Sequence, residues 1–361
     1  MCIDMESKMR KMASVQRVLE KKSIVGADKI EAYRVSGWWV VDSIGKYSVN
    51  DLVVFCEIDS WMPHHLAPFL TKDGKQPKEY LGIKGERLKT AKLRGQLSQG
   101  LLLPLDHEAN NGDTILDMYW DSVDADDDSD YTVPEEGYDL TSLLGIVKWE
   151  DTRYMNDSNA KGSFPSFIPK TDQERVQNIL RSIENWKGMS FEVTVKRDGS
   201  SMTAFVNRDE EGVCSRNMLL RETDSSAFWH AARSLNLLEK IRSTGRNLAL
   251  QGELLSQKIQ GNYEKVSSVE WNCFDIYDID TQEYLLPKER RELCKQLRIP
   301  HIKVVEEDFV LCHNVDQLLE MAEGPGVNPG VQREGLVLKA NTSHGISYKA
   351  VSNSYLLATK R

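Results

Sequence analysis

The stretch Phe191-Glu192-Val193-Thr194-Val195-Lys196-Arg197-Asp198-Gly199-Ser200 decides how the rest of the chain is read. Its first five residues, rich in β-branched and aromatic side chains, read as a strand. The strand runs into a K-x-D-G tetrapeptide placed just before a turn. Alone, such a tetrapeptide is a weak signal, because a lysine at a strand end is an ordinary solvated residue.

Order and spacing strengthen it. Downstream lie Gly252-Glu253-Leu254, Phe274-Asp275-Ile276-Tyr277, Glu334-Gly335-Leu336-Val337-Leu338-Lys339 and Ser347-Tyr348-Lys349, each at or beside a strand-like run. Taken singly, Glu253 and Glu334 read as strand-edge carboxylates and Phe274 as core filler. Together and in this order, the set resembles the covalent nucleotidyltransferase superfamily of polynucleotide ligases and capping enzymes. The matching motifs are the nucleophile K-x-D-G, a G-E-L glutamate, an F-D pair, E-G-x-V-x-K and a final lysine.

The resemblance implies a reaction with definite chemical needs. Lys196 would attack the α-phosphorus of ATP as a neutral amine, although a lysine of ordinary pKa, about 10.4, is almost wholly protonated at neutral pH. Desolvation and nearby cations, a bound Mg²⁺ (or Mn²⁺) and Lys349, would disfavour the ammonium form. Asp198, Glu253 and Glu334 would supply hard oxygen ligands for the metal, directly or through water. Lys339 and Lys349 would offset charge on the phosphate oxygens, and Phe274 would stack on adenine. By the same resemblance Glu253 lies by the ribose as well as the metal, and Val195 and Ser201, flanking the nucleophile, are further nucleotide-contact candidates.

Two segments narrow the family. Phe164-Pro165-Ser166-Phe167-Ile168-Pro169-Lys170-Thr171-Asp172-Gln173-Glu174-Arg175 resembles the stretch before the nucleophile in nick-sealing RNA ligases with an N-terminal OB domain, RNA ligase family 5. There the arginine matched by Arg175 contacts the ATP phosphates; otherwise Arg175 is a helix-surface residue. Ser215-Arg216-Asn217 resembles a motif near the ribose or the nucleic-acid strand, with a plain β-turn as the other reading. One departure is Ser201, where many ligases carry arginine; RNA ligases often have a small polar residue there, which favours RNA over DNA.

At 361 residues the chain is long enough for two domains with separate cores. The expected division is a disordered leader over 1–13, an OB-like nucleic-acid-binding domain over 14–120, an acidic linker over 121–140 and an adenylyltransferase domain over 141–361. The fold class is α+β: a β-barrel followed by an antiparallel-sheet-and-helix domain. Strand-like runs at 28–35, 38–41, 51–57 and 101–105 build the first domain. In the second, runs at 189–195, 202–206, 248–254, 271–277, 336–339 and 346–350 alternate with helices. One helix is expected to start at Thr171 through a capping box with Glu174, and another to run through Phe228, Ala232, Leu235 and Leu238.

The formal charge of −9 is no obstacle to nucleic-acid binding. Nine acidic residues and no Lys or Arg fall between Asp121 and Asp139; removing them from the 55 acids leaves 46, equal to the 46 Lys and Arg. Lys84, Arg87, Lys89, Lys92 and Arg94, opposed only by Glu86, make a basic stripe suited to a phosphate backbone, though an ordinary charged strand would look the same. Trp38 and Trp39 are candidate base-stacking aromatics, of which at least one should face the core. The six scattered cysteines show no zinc spacing. No apolar run reaches membrane-spanning length, and no secretory signal opens the chain, so an intracellular protein without membrane attachment is expected, as a monomer. Twelve residues follow Lys349 in this sequence, so the β-rich module is expected to be the one before the catalytic domain, the arrangement that the family 5 resemblance implies.

The expectation is therefore an ATP-dependent RNA ligase acting on RNA, in nicked duplexes bearing a 5′-phosphate. The alternatives are a DNA ligase, a capping guanylyltransferase, or a non-catalytic RNA-binding ATP sensor.

Overall fold

The computed structural model describes residues 10–110, 112–123, 132–150 and 159–359. The chain forms two compact units, one of 1–151 with 356–361 and the other of 152–355. The division thus falls after the acidic run rather than within 121–140. Most of the expected leader, residues 1–9, lies outside the described residues, as does the centre of the acidic run, 124–131.

The first unit is organised by the strand Ala13–Ser23. Its first half pairs with Leu52–Cys56 and its second with Ile30–Val35, with an irregularity between Val18 and Glu20 at the changeover. Trp38–Ser43 and Leu101–Pro104 complete an antiparallel five-stranded sheet. A second sheet contains Ser60–Pro63, Lys78–Tyr80, Ile83–Arg87 and Val147–Lys148. Val15, Val54, Met62, Leu103 and Ile115 pack in one core. Leu140, Leu144 and Ile146 belong to the same core, and the backbone of 137–140 bonds to Ala13 and Val15. The end of the supposed linker is therefore structural. Its start is too: Thr114 and Asp117 form a capping box for the helix Ile115–Ser122.

The second unit contains two largely antiparallel sheets. One has seven strands in the order Ala160–Ser163, Met218–Leu220, Glu210–Cys214, Ser200–Asn207, Leu248–Leu255, Glu270–Asp278, Glu283–Tyr284. The other has five in the order Glu174–Arg175, Ser347–Val351, Gly335–Ala340, Ser190–Lys196, Val304–Val310. All six strand-like runs expected in this domain are strands.

Alternation along each strand sorts apolar from polar faces. In the five-stranded sheet, Phe191, Val193, Leu336, Leu338, Tyr348 and Ala350 point into a core that includes the helix Val315–Ala322. The residues between them, Glu192, Thr194, Lys196, Lys339 and Lys349, share the opposite face: the register pairs Lys196 with Gly335, Glu192 with Lys339 and Lys349 with Val337. In the seven-stranded sheet, Met202, Ala204, Leu250, Leu254 and Trp271 pack against the helices Ala227–Ser234 and Leu237–Ser243. Ser201 and Glu253 are a register pair on the other face.

Two helix expectations fail. Thr171 caps no helix: Glu174–Arg175 pairs in parallel with Tyr348–Lys349, a 3₁₀ turn follows at Val176–Asn178, and the helix is Leu180–Asn185. Tertiary strand pairing overrides the local capping signal. The helix expected through Leu238 breaks in two at Asn236, which adopts a left-handed conformation with φ 51°.

Candidate active site

Lys196 ends its strand with Nζ 2.7 Å from Glu334 Oε1, and 24% of its side chain remains exposed, so the amine is reachable. The chain then crosses from one sheet to the other within Arg197-Asp198-Gly199. Gly199 donates its N–H to Glu253 Oε1 at 2.9 Å. A Cβ on Gly199 would lie 2.4 Å from the Leu254 carbonyl oxygen, so the crossing admits only glycine. Gly252 is equally constrained, its absent Cβ falling 2.4 Å from the Trp271 ring. The motif glycines therefore let backbone and carboxylates close on Lys196.

Burial alone would lower the pKa of Lys196, but Glu334, Glu253 and Asp198 outweigh it and hold the value above that of an ordinary lysine. Glu253 responds in the opposite sense. Burial, with Glu334 and Asp198 adding repulsion, pushes it up to about 8 against the attraction of Lys196. The carboxylates thus carry more negative charge than one ammonium neutralises, which suits a divalent cation. Among the described residues no three His, Cys, Asp or Glu side chains form a ready cage for one. The fit is to a hydrated cation sharing its ligands with phosphate oxygens, not to an all-protein site.

A second cluster lies on the same sheet face. Lys339 Nζ donates to the Phe274 carbonyl at 2.7 Å, sits 2.5 Å from Asp275 Oδ1 and lies 5.5 Å from the centroid of the Phe274 ring. Burial lowers the Lys339 pKa, with Arg290 adding to the effect and Asp275 opposing it. Arg290, fully buried on the helix Pro287–Gln296, bonds to Glu192 and sits 3.4 Å from Asp275 Oδ1. Its Nε donates to His301 Nε2 at 3.1 Å. A cavity of about 170 Å³ opens here, lined in part by Lys170, Asp172, Asp275, Arg290, Lys339 and Ser347.

Asp172 makes a third grouping, with Lys349 Nζ and Arg216 Nη2 each 3.5 Å from its carboxylate. Arg175, nearly buried, is the register partner of Lys349. Ser201 Oγ stands 3.3 Å from Thr171 Oγ1. The Val195 side chain is buried and its N–H is given to the Lys303 carbonyl at 2.9 Å. The structure therefore brings Lys196, Asp198, Glu253 and Glu334 together, sets Lys339 with Phe274, and sets Lys349 with Arg175 and Arg216. The sequence alone assigned no role to Asp172, Glu192, Asp275 or Arg290. Asp172, Glu192 and Asp275 stood inside quoted stretches; Arg290 has no local pattern to mark it.

An RNA ligase family model matches residues 189–351 and an OB-fold domain model matches 12–105. No curated protein matches the chain. Among solved structures, a lysine-to-alanine variant of Naegleria gruberi RNA ligase with ATP and Mn is 43% identical. That match covers 98% of each chain with a TM-score of 0.84. The same Naegleria ligase with PPi, and a glutamate-to-alanine variant with AMP and Mn, are each 43% identical with a TM-score of 0.85. Both cover 97% of this chain and 99% of the other. The K-x-D-G lysine ringed by carboxylates and the near full-length likeness lead to one conclusion: the chain belongs to the RNA ligase family.

Proposed function

We infer that this ATP-dependent RNA ligase seals 5′-phosphate ends to 3′-OH ends in nicked duplexes, with Lys196 as the residue that carries AMP. The observation that supports this most is the set of three carboxylates around one reachable lysine at a sheet-to-sheet crossing. A structural lysine needs one counterion; three carboxylates around one lysine, one of them held partly protonated by burial and by the others, favour a further cation among them.

In this reading, Lys196 Nζ gives up its proton to solvent and attacks the α-phosphorus as the neutral amine, a P–N bond forms, and the bond to pyrophosphate breaks. AMP passes to the 5′-phosphate, and the 3′-OH then displaces AMP to form the phosphodiester. Asp198, Glu253 and Glu334 would hold Mg²⁺ or Mn²⁺ directly or through water, and that cation would supply charge neutralisation at the phosphate. With those carboxylates so engaged, the attraction that keeps Lys196 protonated would be offset. Lys339, Lys349 and Arg175, on one sheet face, receive phosphate charge. Phe274 offers to adenine the ring face that Lys339 does not cover. Arg216 lies toward the ribose or the RNA strand. Ser201, paired in register with Glu253, lines the nucleotide side, and Val195 contributes through backbone only.

RNA is the substrate class, and no described helix is long and apolar enough to cross a membrane. The nicked duplex is tested by comparing rates on a duplex nick, on single-stranded RNA ends, and on nicks whose 3′-OH strand ends in deoxyribose. Faster sealing of the duplex nick with a ribose terminus is expected. Equal rates on single-stranded ends would remove the nick preference.

A further inference from the structure

The residue between nucleophile and aspartate in K-x-D-G carries no chemistry in the motif, but here it is anchored. Arg197 is buried, its Nε donates to Glu264 Oε2 at 2.8 Å, and Nη2 lies 2.7 Å from the same oxygen. Nη1 donates to Glu270 Oε2 at 3.0 Å. The other Glu264 oxygen, Oε1, accepts the backbone N–H of Asp198 at 2.8 Å. One buried carboxylate therefore holds both the side chain and the backbone of the crossing that follows Lys196, opposite the Glu253–Gly199 bond.

Glu264 sits on a loop built to stay put. Gln260, Gly261, Asn262 and Lys265 all have positive φ, between 49° and 68°. The Asn262 side chain brackets Val266, accepting its N–H at 2.9 Å and donating to its carbonyl at 3.0 Å. Asn328 donates to the Glu264 carbonyl at 2.7 Å, and the neighbouring Tyr263 ring packs edge-on against Tyr355 at 5.0 Å. Such fixing costs free energy in strained dihedrals, and strain of this kind persists where a defined geometry is needed.

We propose that Glu264 is a positioning residue for the adenylylation step, fixing the Arg197–Gly199 crossing and through it Lys196 and Asp198. The proposal rests on the reading of Lys196 as nucleophile. It follows from hydrogen-bond chemistry that glutamine cannot replace Glu264. Its amide offers one acceptor and one donor group, so satisfying the Asp198 N–H turns the NH₂ toward the Arg197 guanidinium, and the reverse takes this acceptor away from the Asp198 N–H. Removing the guanidinium at the same time should lift that conflict.

The test is single-turnover transfer of AMP from ATP to the protein, giving a rate constant at saturating ATP, a half-saturating ATP concentration and an amplitude. Glu264→Gln should lower the rate constant by about tenfold or more while half-saturation stays within about threefold. Arg197→Met combined with Glu264→Gln should regain about fivefold over Glu264→Gln alone. A Glu264→Gln rate constant within about twofold of wild type, or a loss confined to amplitude, would overturn the proposal, since misfolding lowers the active fraction and not the rate of what remains. A double variant no faster than the single would overturn it as well. Absence of any adduct in the wild-type protein would instead refute the nucleophile reading. Hydrogen exchange at the Asp198 amide then decides: about tenfold faster exchange in Glu264→Gln supports the anchoring, and unchanged exchange overturns it.

Discussion

Lys339 and Asp275 belong to different sheets, yet Lys339 Nζ lies 2.5 Å from Asp275 Oδ1. The pair joins the sheets on the face that carries Lys196, and Arg290 and Glu192 extend it into a buried charge network. Removing one partner of a buried ion pair leaves the other uncompensated, at a cost of about 3–5 kcal/mol. Asp275→Asn is expected to destabilise the protein by about 3 kcal/mol in denaturant unfolding and to slow adenylylation, because Lys339 loses its fixed position. Unchanged stability would show that Lys339 relaxes into solvent without penalty.

His301 gives the account a pH signature. Burial, with the Arg290 guanidinium adding, lowers its pKa to about 4 from the ordinary 6.5. The unfolded chain takes up the proton near pH 6.5 and the folded one only near 4, so the His301 contribution to stability should fall as pH drops through that window and level off below it, against the opposite contribution of Glu253. The upper bound is about 3 kcal/mol for this shift. His301→Gln should flatten the stability profile between pH 6.5 and 4, and an unchanged profile would contradict the assignment.

The close approach of Gly199 to Leu254 makes its own prediction. Gly199→Ala places a Cβ 2.4 Å from a backbone oxygen that cannot move without breaking the pairing of Ser200–Asn207 with Leu248–Leu255. Displacement of the crossing by a fraction of an ångström to an ångström should cost about 100-fold in the rate of AMP transfer. A rate near wild type would show that the crossing has slack.

The basic stripe of the first unit divides in the structure. Arg87 Nη2 is 2.5 Å from Asp59 Oδ1, and its guanidinium lies 3.7 Å from the Trp149 ring centroid, so it is committed internally. Lys84, Lys92 and Arg94 are exposed. Alanine at Lys92 or Arg94 should each reduce the salt dependence of RNA binding by about one unit of logarithmic slope. Arg87→Ala should instead lower stability by about 1–2 kcal/mol with the slope unchanged. A changed slope for Arg87 would return it to the RNA contacts.

The legible part of this protein is the part written in short stretches. Lys196, Asp198, Glu253, Glu334, Lys339 and Lys349 each lie within a few residues of a strand whose alternation fixes the side-chain face, so pattern and chemistry coincide. Trp38 and Trp39 behave likewise, the first fully buried and the second partly exposed beneath Lys22 at 3.8 Å. What escaped was set by distant partners. Thr171 and Glu174 carry a capping pattern, but pairing of Glu174–Arg175 with Tyr348–Lys349 prevails. Residues 137–140 read as acidic linker because their partner, the strand beginning at Ala13, is more than a hundred residues away. Glu264 meets Arg197 across a separation of 67 residues, and nothing near either residue announces the other.

The most direct test of the central claim is the intact mass of the purified protein after incubation with ATP and Mg²⁺ in the absence of RNA, beside Lys196→Ala. An added AMP on the wild type and none on the variant is the predicted result. An adduct of equal yield on Lys196→Ala would contradict the assignment of Lys196 as the adenylylated residue.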